Sequence, residues 1–82
     1  MSERIVLFQL WEREDADEVA KSASSIEVEG VSIRSVFRTV GEFQIVIHMN
    51  VENGKGVATF IDEMILRHPY ISYISELRVP QK

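Results

Sequence analysis

His48 and His68, the carboxylate run Glu12, Glu14, Asp15, Asp17 and Glu18, and the triplet Gly54-Lys55-Gly56 are the residues of this 82-residue chain whose types suggest chemistry. Two histidines suggest metal binding or proton transfer, but a metal site needs a convergent cluster of ligands that their spacing does not provide. His48 falls inside a strand-like stretch, and His68 ends a helix-like one, where an imidazolium suits the negative end of the helix dipole. Both are read as structural or surface residues. The carboxylate run suggests acid–base pairs or a cation site; placed just before a helical pattern, it reads instead as a solvated helix start favoured by the positive end of that dipole. Gly54-Lys55-Gly56 lacks the rest of a phosphate-binding loop and reads as a flexible turn. No catalytic or metal-binding residue is therefore assigned. The chain reads as a non-enzyme with no cofactor.

The elements that would position these residues follow from hydrophobic periodicity. Residues 5–11 are β-branched, aromatic or apolar at nearly every position and too few for a typical helix, as in a strand buried on both faces. Asp15, with Glu18 three residues on, approximates a capping box. The stripe Ala16, Val19, Ala20, Ala23 and Ile26 then predicts an amphipathic helix. After Gly30, residues 31–40 read as a second strand, and Gly41-Glu42 as a short turn. In residues 43–51 Phe43, Ile45, Ile47, Met49 and Val51 alternate with Gln44, His48 and Asn50 among the intervening positions, which predicts one face packed on helices. Val57, Phe60, Ile61, Met64 and Ile65 mark a second helix stopped by Pro69, and Ile71, Tyr73, Leu77 and Val79 a last strand.

The two halves echo each other at a spacing of 40 residues, with identities at positions 5, 6, 12, 32, 35 and 38 and their counterparts. The matches cluster where both copies read as strands. Strand, helix, strand repeated twice is the α+β ferredoxin-like βαββαβ arrangement, a four-stranded antiparallel sheet with two helices on one face. Residues 1–82 read as one such domain. Val6, Phe8, Leu10, Val36, Val46 and Ile74, with Val40, are apolar at the parity opposite the dominant helix-facing set. They predict a homodimer packed sheet against sheet, of the dimeric α+β barrel type; a bulge near Ser35 would return some of them to the core.

Composition supports a partner. A chain this short buries only about 60% of its unfolded surface, and with no cysteine it has no disulfide or thiolate metal site to reinforce it. With 45% hydrophobic residues it can supply both a core and an interface. The longest apolar run, Ile5 to Phe8, is far too short to span a membrane. No signal-peptide pattern opens the chain, so a soluble cytoplasmic protein without membrane contact is expected.

The turn and the strands around it carry a family resemblance. Gly30-Val31 opening the second strand, Val36 through Gln44 (VFRTVGEFQ) across the central hairpin, and Tyr70 through Val79 in the last strand resemble the effector-binding domain of the Lrp/AsnC transcriptional regulators. By contrast, the RNA-recognition motif that Gly41-Glu42-Phe43-Gln44 superficially suggests needs a preceding base and further aromatics, where Val40, Ile45 and Met49 stand. The acylphosphatase loop and the Cys-x-x-Cys of metal transporters are missing.

The resemblance implies a stand-alone effector-binding and oligomerisation domain without its own helix-turn-helix. It would form homodimers or rings of dimers, bind an amino acid or similar metabolite, and act through a relative that carries the helix-turn-helix. It implies effector contacts at Thr39, Val40, Gly41, Glu42, Phe43, Gln44, Tyr73 and Ser75. Two positions depart from the family: Gln44 replaces an aspartate, and Tyr70 a glycine. The hairpin also admits a plainer reading, with Gly41 supplying only a tight turn and Phe43 part of the core. Two other classes share the fold. Small dimeric α+β barrel monooxygenases or isomerases need a polar pocket that the apolar alternation of residues 43–51 disfavours, and ACT-like sensors carry an Asp-x-Pro-Gly turn after the first strand that is missing here.

A net charge of −4 opposes binding to the phosphate backbone. The chain is expected to leave DNA and RNA unshifted at physiological salt. A gel shift tighter than roughly micromolar, beyond ordinary non-specific affinity, would refute that expectation.

Overall fold

The computed structural model describes residues 2–11 and 16–80. Its elements run β1 (Ser2–Leu10), α1 (Ala16–Ser25), β2 (Val31–Arg38), β3 (Ile45–Val51), α2 (Gly54–Arg67) and β4 (Ile71–Arg78). The expected cap at Asp15, with Glu12 and Glu14, lies outside the described residues. The strands form one antiparallel sheet in the order β2-β3-β1-β4, which is the ferredoxin-like βαββαβ fold. No described helix is long and apolar enough to cross a membrane.

Local chemistry places both helices. In α1 the small residues Ala16, Ala20 and Ala23 let the helix approach the sheet closely, with Val19 and Ala23 fully buried. Asn53 caps α2: its side-chain oxygen accepts from the N–H groups of Lys55 at 2.9 Å and Gly56 at 3.3 Å, satisfying two donors of the first turn. Residues 54–56, expected as a loop, are therefore that first turn. Gly56 allows the helix to approach β2, because a Cβ there would lie 2.7 Å from Val31 Cγ2. Val57, Phe60 and Met64 complete the core. At the far end His68 is buried and its N–H bonds the Met64 carbonyl at 2.8 Å. Its Nε2 lies 2.7 Å from Ser22 Oγ on α1, so this histidine ties the two helices together.

Which side chains meet the helices is decided by pairing. Val6 lies opposite Ile47 and Phe8 opposite Ile45, and residues directly opposite on antiparallel strands share a face. Ile45 and Ile47 face the helices, so Val6 and Phe8, both fully buried, and Leu10 face them too. This corrects their assignment to the outer face. Val36 and Ile74 are corrected for a related reason. Each edge strand carries one extra residue, Arg34 in β2 and Ser72 in β4. Beyond that point the alternation is inverted, because side chains change face at every residue. Val36 thus pairs with Ile47 and Ile74 with Phe8, and both pack on the core. The bulge expected near Ser35 is the one at Arg34. Val40 lies past the end of β2, 99% exposed, and Tyr73 and Leu77, expected to face the helices, are turned outward.

On the uncovered face, Phe37, Val46, Leu7 and Ser75 form a row across all four strands, and Ser35, His48, Ile5 and Leu77 form the next. Of the outer-face residues expected from sequence, Val46 alone lies there. On the covered face Arg4 is buried and pairs with Glu76, joining β1 to the edge strand β4.

Phe8→Ala is expected to lower the free energy of unfolding by about 3–5 kcal/mol, the usual cost of removing a fully buried ring. Urea titration checks this; a loss below about 1 kcal/mol would contradict the placement of Phe8 beneath the helices.

Candidate functional site: the cleft at the central hairpin

The hairpin between β2 and β3 is held by its own polar groups. Thr39 N–H donates to the Gln44 carbonyl at 2.9 Å, and Thr39 Oγ1 donates to the Phe43 carbonyl. Gly41 has φ +120°, a region closed to residues with a Cβ, so the turn requires glycine here.

Gln44 is the hub. Its Oε1 accepts from Leu10 N–H at 2.7 Å, and its Nε2 donates to the carbonyls of Gly41 at 2.6 Å and Glu42 at 3.3 Å. Its own N–H donates to the Phe8 carbonyl at 3.0 Å. One neutral side chain therefore closes the turn and fastens it to the end of β1. An aspartate is one methylene shorter and carries no donor, so it could not make the two contacts to the turn carbonyls.

Beside this hub the end of β1, the start of β4 and the hairpin enclose a cleft of about 610 Å³. Of the residues expected at an effector site, Gly41, Glu42, Gln44 and Tyr73 line it. Phe43 stands behind, its ring 6.1 Å from that of Tyr73. Thr39 and Val40 do not line the cleft, and Ser75 lies on the open sheet face opposite Leu7.

Gln9, Leu10, Trp11 and Ser72 line it without having been expected. They enter because β1 runs antiparallel to β4 with Gln9 opposite Tyr73, and because Trp11 N–H bonds the Tyr70 carbonyl at 3.2 Å. Ser72, the extra residue of β4, donates to the Gln9 carbonyl at 2.9 Å. The one sequence signal for this wall was Trp11 at the end of a strand.

A second depression, of about 750 Å³, lies at the opposite end of the sheet. Its lining mixes carboxylates such as Glu27, Glu29 and Glu52 with Lys55 and Arg67. Among the described residues no group of three or more His, Cys, Asp or Glu could hold a metal ion. His48 stands on the open face with Nε2 3.2 Å from Glu3 Oε1.

Solved structures share this fold. PH0061 is similar with a TM-score of 0.70 at 23% identity, over 99% of this chain and 53% of that one. FFRP-DM1 is similar with a TM-score of 0.74 at 18% identity, over 98% of this chain and 100% of that one. The third, PF0864 from Pyrococcus furiosus, is a transcriptional regulatory protein and a member of the AsnC family; it has a TM-score of 0.74 at 17% identity, over 99% of this chain and 52% of that one. The chain thus spans about half the length of PH0061 and PF0864 and the whole of FFRP-DM1. No family model matches the sequence, and no curated protein matches it significantly.

Gln44→Ala is expected to cost about 1–3 kcal/mol, because it leaves the Leu10 N–H and two turn carbonyls without their partner. It should also raise the hydrogen-exchange rate of the Leu10 amide. Unchanged exchange at Leu10 would show that the bridge does not hold the turn.

Proposed function

We propose that this chain is a regulatory module of the Lrp/AsnC kind, which pairs with a second copy through the open face of its sheet and binds an amino acid or similar small metabolite in the hairpin cleft. It catalyses no reaction. The observation that carries this reading is the arrangement of the uncovered face: Phe37, Val46, Leu7, Ile5 and Leu77 make it apolar across four strands, and the cleft opens at its end through Gln9 and Tyr73. An apolar sheet face of this extent is stabilised by a partner that excludes water from it. A second copy brings the same shape and the same exposed rows, as a two-fold interface requires. The shared fold with an AsnC-family regulator supports the class.

On this reading a ligand at the cleft acts on assembly. Occupying the end of the interface shifts the balance between dimers and larger rings by the difference in affinity for the two forms. The ligand class implied by the family resemblance is the α-amino acid, and the place of action is the cytoplasm.

Leu7→Glu tests the pairing. Leu7 lies on the open face, away from the helices, so the protomer should still unfold cooperatively. The buried charge would cost the dimer several kcal/mol, about 3 or more. Sedimentation should show a dimer for the parent chain and a folded monomer for the variant; a folded variant that stays fully dimeric overturns the interface.

A further inference from the structure

Several donors around the hairpin cleft are already engaged, and two aromatic residues, Trp11 and Tyr73, line it. Leu10 N–H is held by Gln44 Oε1, Trp11 N–H by the Tyr70 carbonyl and Gln44 N–H by the Phe8 carbonyl. Gln44 Nε2 donates to the carbonyls of Gly41 and Glu42, and the Ser72 hydroxyl donates to Gln9. A carboxylate entering the cleft would therefore find none of these donors open to it. Among the described residues, no lysine, arginine or histidine lines the cleft to offset its charge.

The opposite holds for a cation. The Glu42 carboxylate is exposed at the lip and has no partner among the described residues. Trp11 and Tyr73 stand on the walls, 60% and 57% exposed. Aromatic faces attract a cation held against them, indole most of all.

We infer that the cleft takes an organic monocation, a protonated amine or guanidinium on an apolar body with no carboxylate, in preference to a zwitterionic amino acid. The ammonium sits between Glu42 and the ring faces, and the apolar body lies against Trp11 and Tyr73. The inference rests on the proposed metabolite-binding role and narrows its ligand.

Leucine and the two molecules left by removing its carboxylate (3-methylbutylamine) or its amino group (4-methylpentanoate) separate the charges. Trp11 is the single tryptophan of the chain, so its fluorescence reports occupancy of this cleft directly. The amine should shift that emission saturably, with leucine at least about tenfold weaker and the acid without effect. Calorimetry on Glu42→Gln should show the amine affinity reduced by a similar factor and the leucine affinity unchanged or improved. Leucine binding as tightly as the amine would overturn this inference while leaving the metabolite-binding role intact. If none of the three binds up to millimolar concentration, both fail.

Discussion

The parity of the sheet is the constraint on which the rest of this structure depends. A strand presents alternate residues to opposite faces, so one inserted residue exchanges everything beyond it. Each edge strand contains one such insertion, Arg34 in β2 and Ser72 in β4, set against the uninterrupted inner strands β1 and β3. These two insertions bring Val36 and Ile74 under the helices and turn Phe37, Tyr73 and Leu77 outward. The covered face becomes a continuous core, and the uncovered face gains an apolar stripe. The insertion at Ser72 also puts its hydroxyl on the Gln9 carbonyl, which shapes one wall of the cleft.

Polar contacts then hold the two layers in one arrangement. The Asn53 cap starts α2 where Gly56 can pass close to Val31, and His68 ends it where its ring meets Ser22 of α1. Arg4 and Glu76 pair across β1 and β4 on the covered side. Arg4 is buried while Glu76 reaches solvent, so the pair gives the buried guanidinium a partner at the edge of the core. At the hairpin Gln44 joins the turn to β1 by three side-chain hydrogen bonds. The turn is thereby closed by the chain itself, and its carbonyls already have a donor before any ligand arrives. On the reading proposed above, a ligand in the adjoining cleft meets Trp11, Tyr73 and the Glu42 carboxylate, which would set a preference in charge.

Much of the architecture was legible from the chain alone. The alternation of Ile45, Ile47, Met49 and Val51 identified β3 and its covered face, because the polar His48 and Asn50 separate the last three of them. The stripes of α1 and α2 and the echo between the halves were enough for the ferredoxin-like order. The hairpin and Gly41 were legible because a positive φ leaves few residue choices. Three of the eight residues lining the candidate cleft were visible in the same stretch, Gly41, Glu42 and Gln44.

The faces of β1 were not legible, since Ile5 and Leu7 are as apolar as Val6 and Phe8, and hydropathy carries no sign of direction. Only the partner strand distinguishes them: Ile45 and Ile47 stand opposite Phe8 and Val6, and that pairing is a long-range contact no local pattern encodes. The insertions at Arg34 and Ser72 are likewise set by fitting two strands together, and neither residue announces one. Gln9, Trp11 and Ser72 reach the cleft for the same reason, being distant in sequence from the hairpin and brought to it by the antiparallel pairing of β1 with its neighbours. The sequence by itself determined the elements, their order and the turn that needs glycine, all of which depend on residues within a few positions of one another. Tertiary structure alone decided which face is apolar and open and which side chains share the cleft, because both depend on register between strands far apart in the chain.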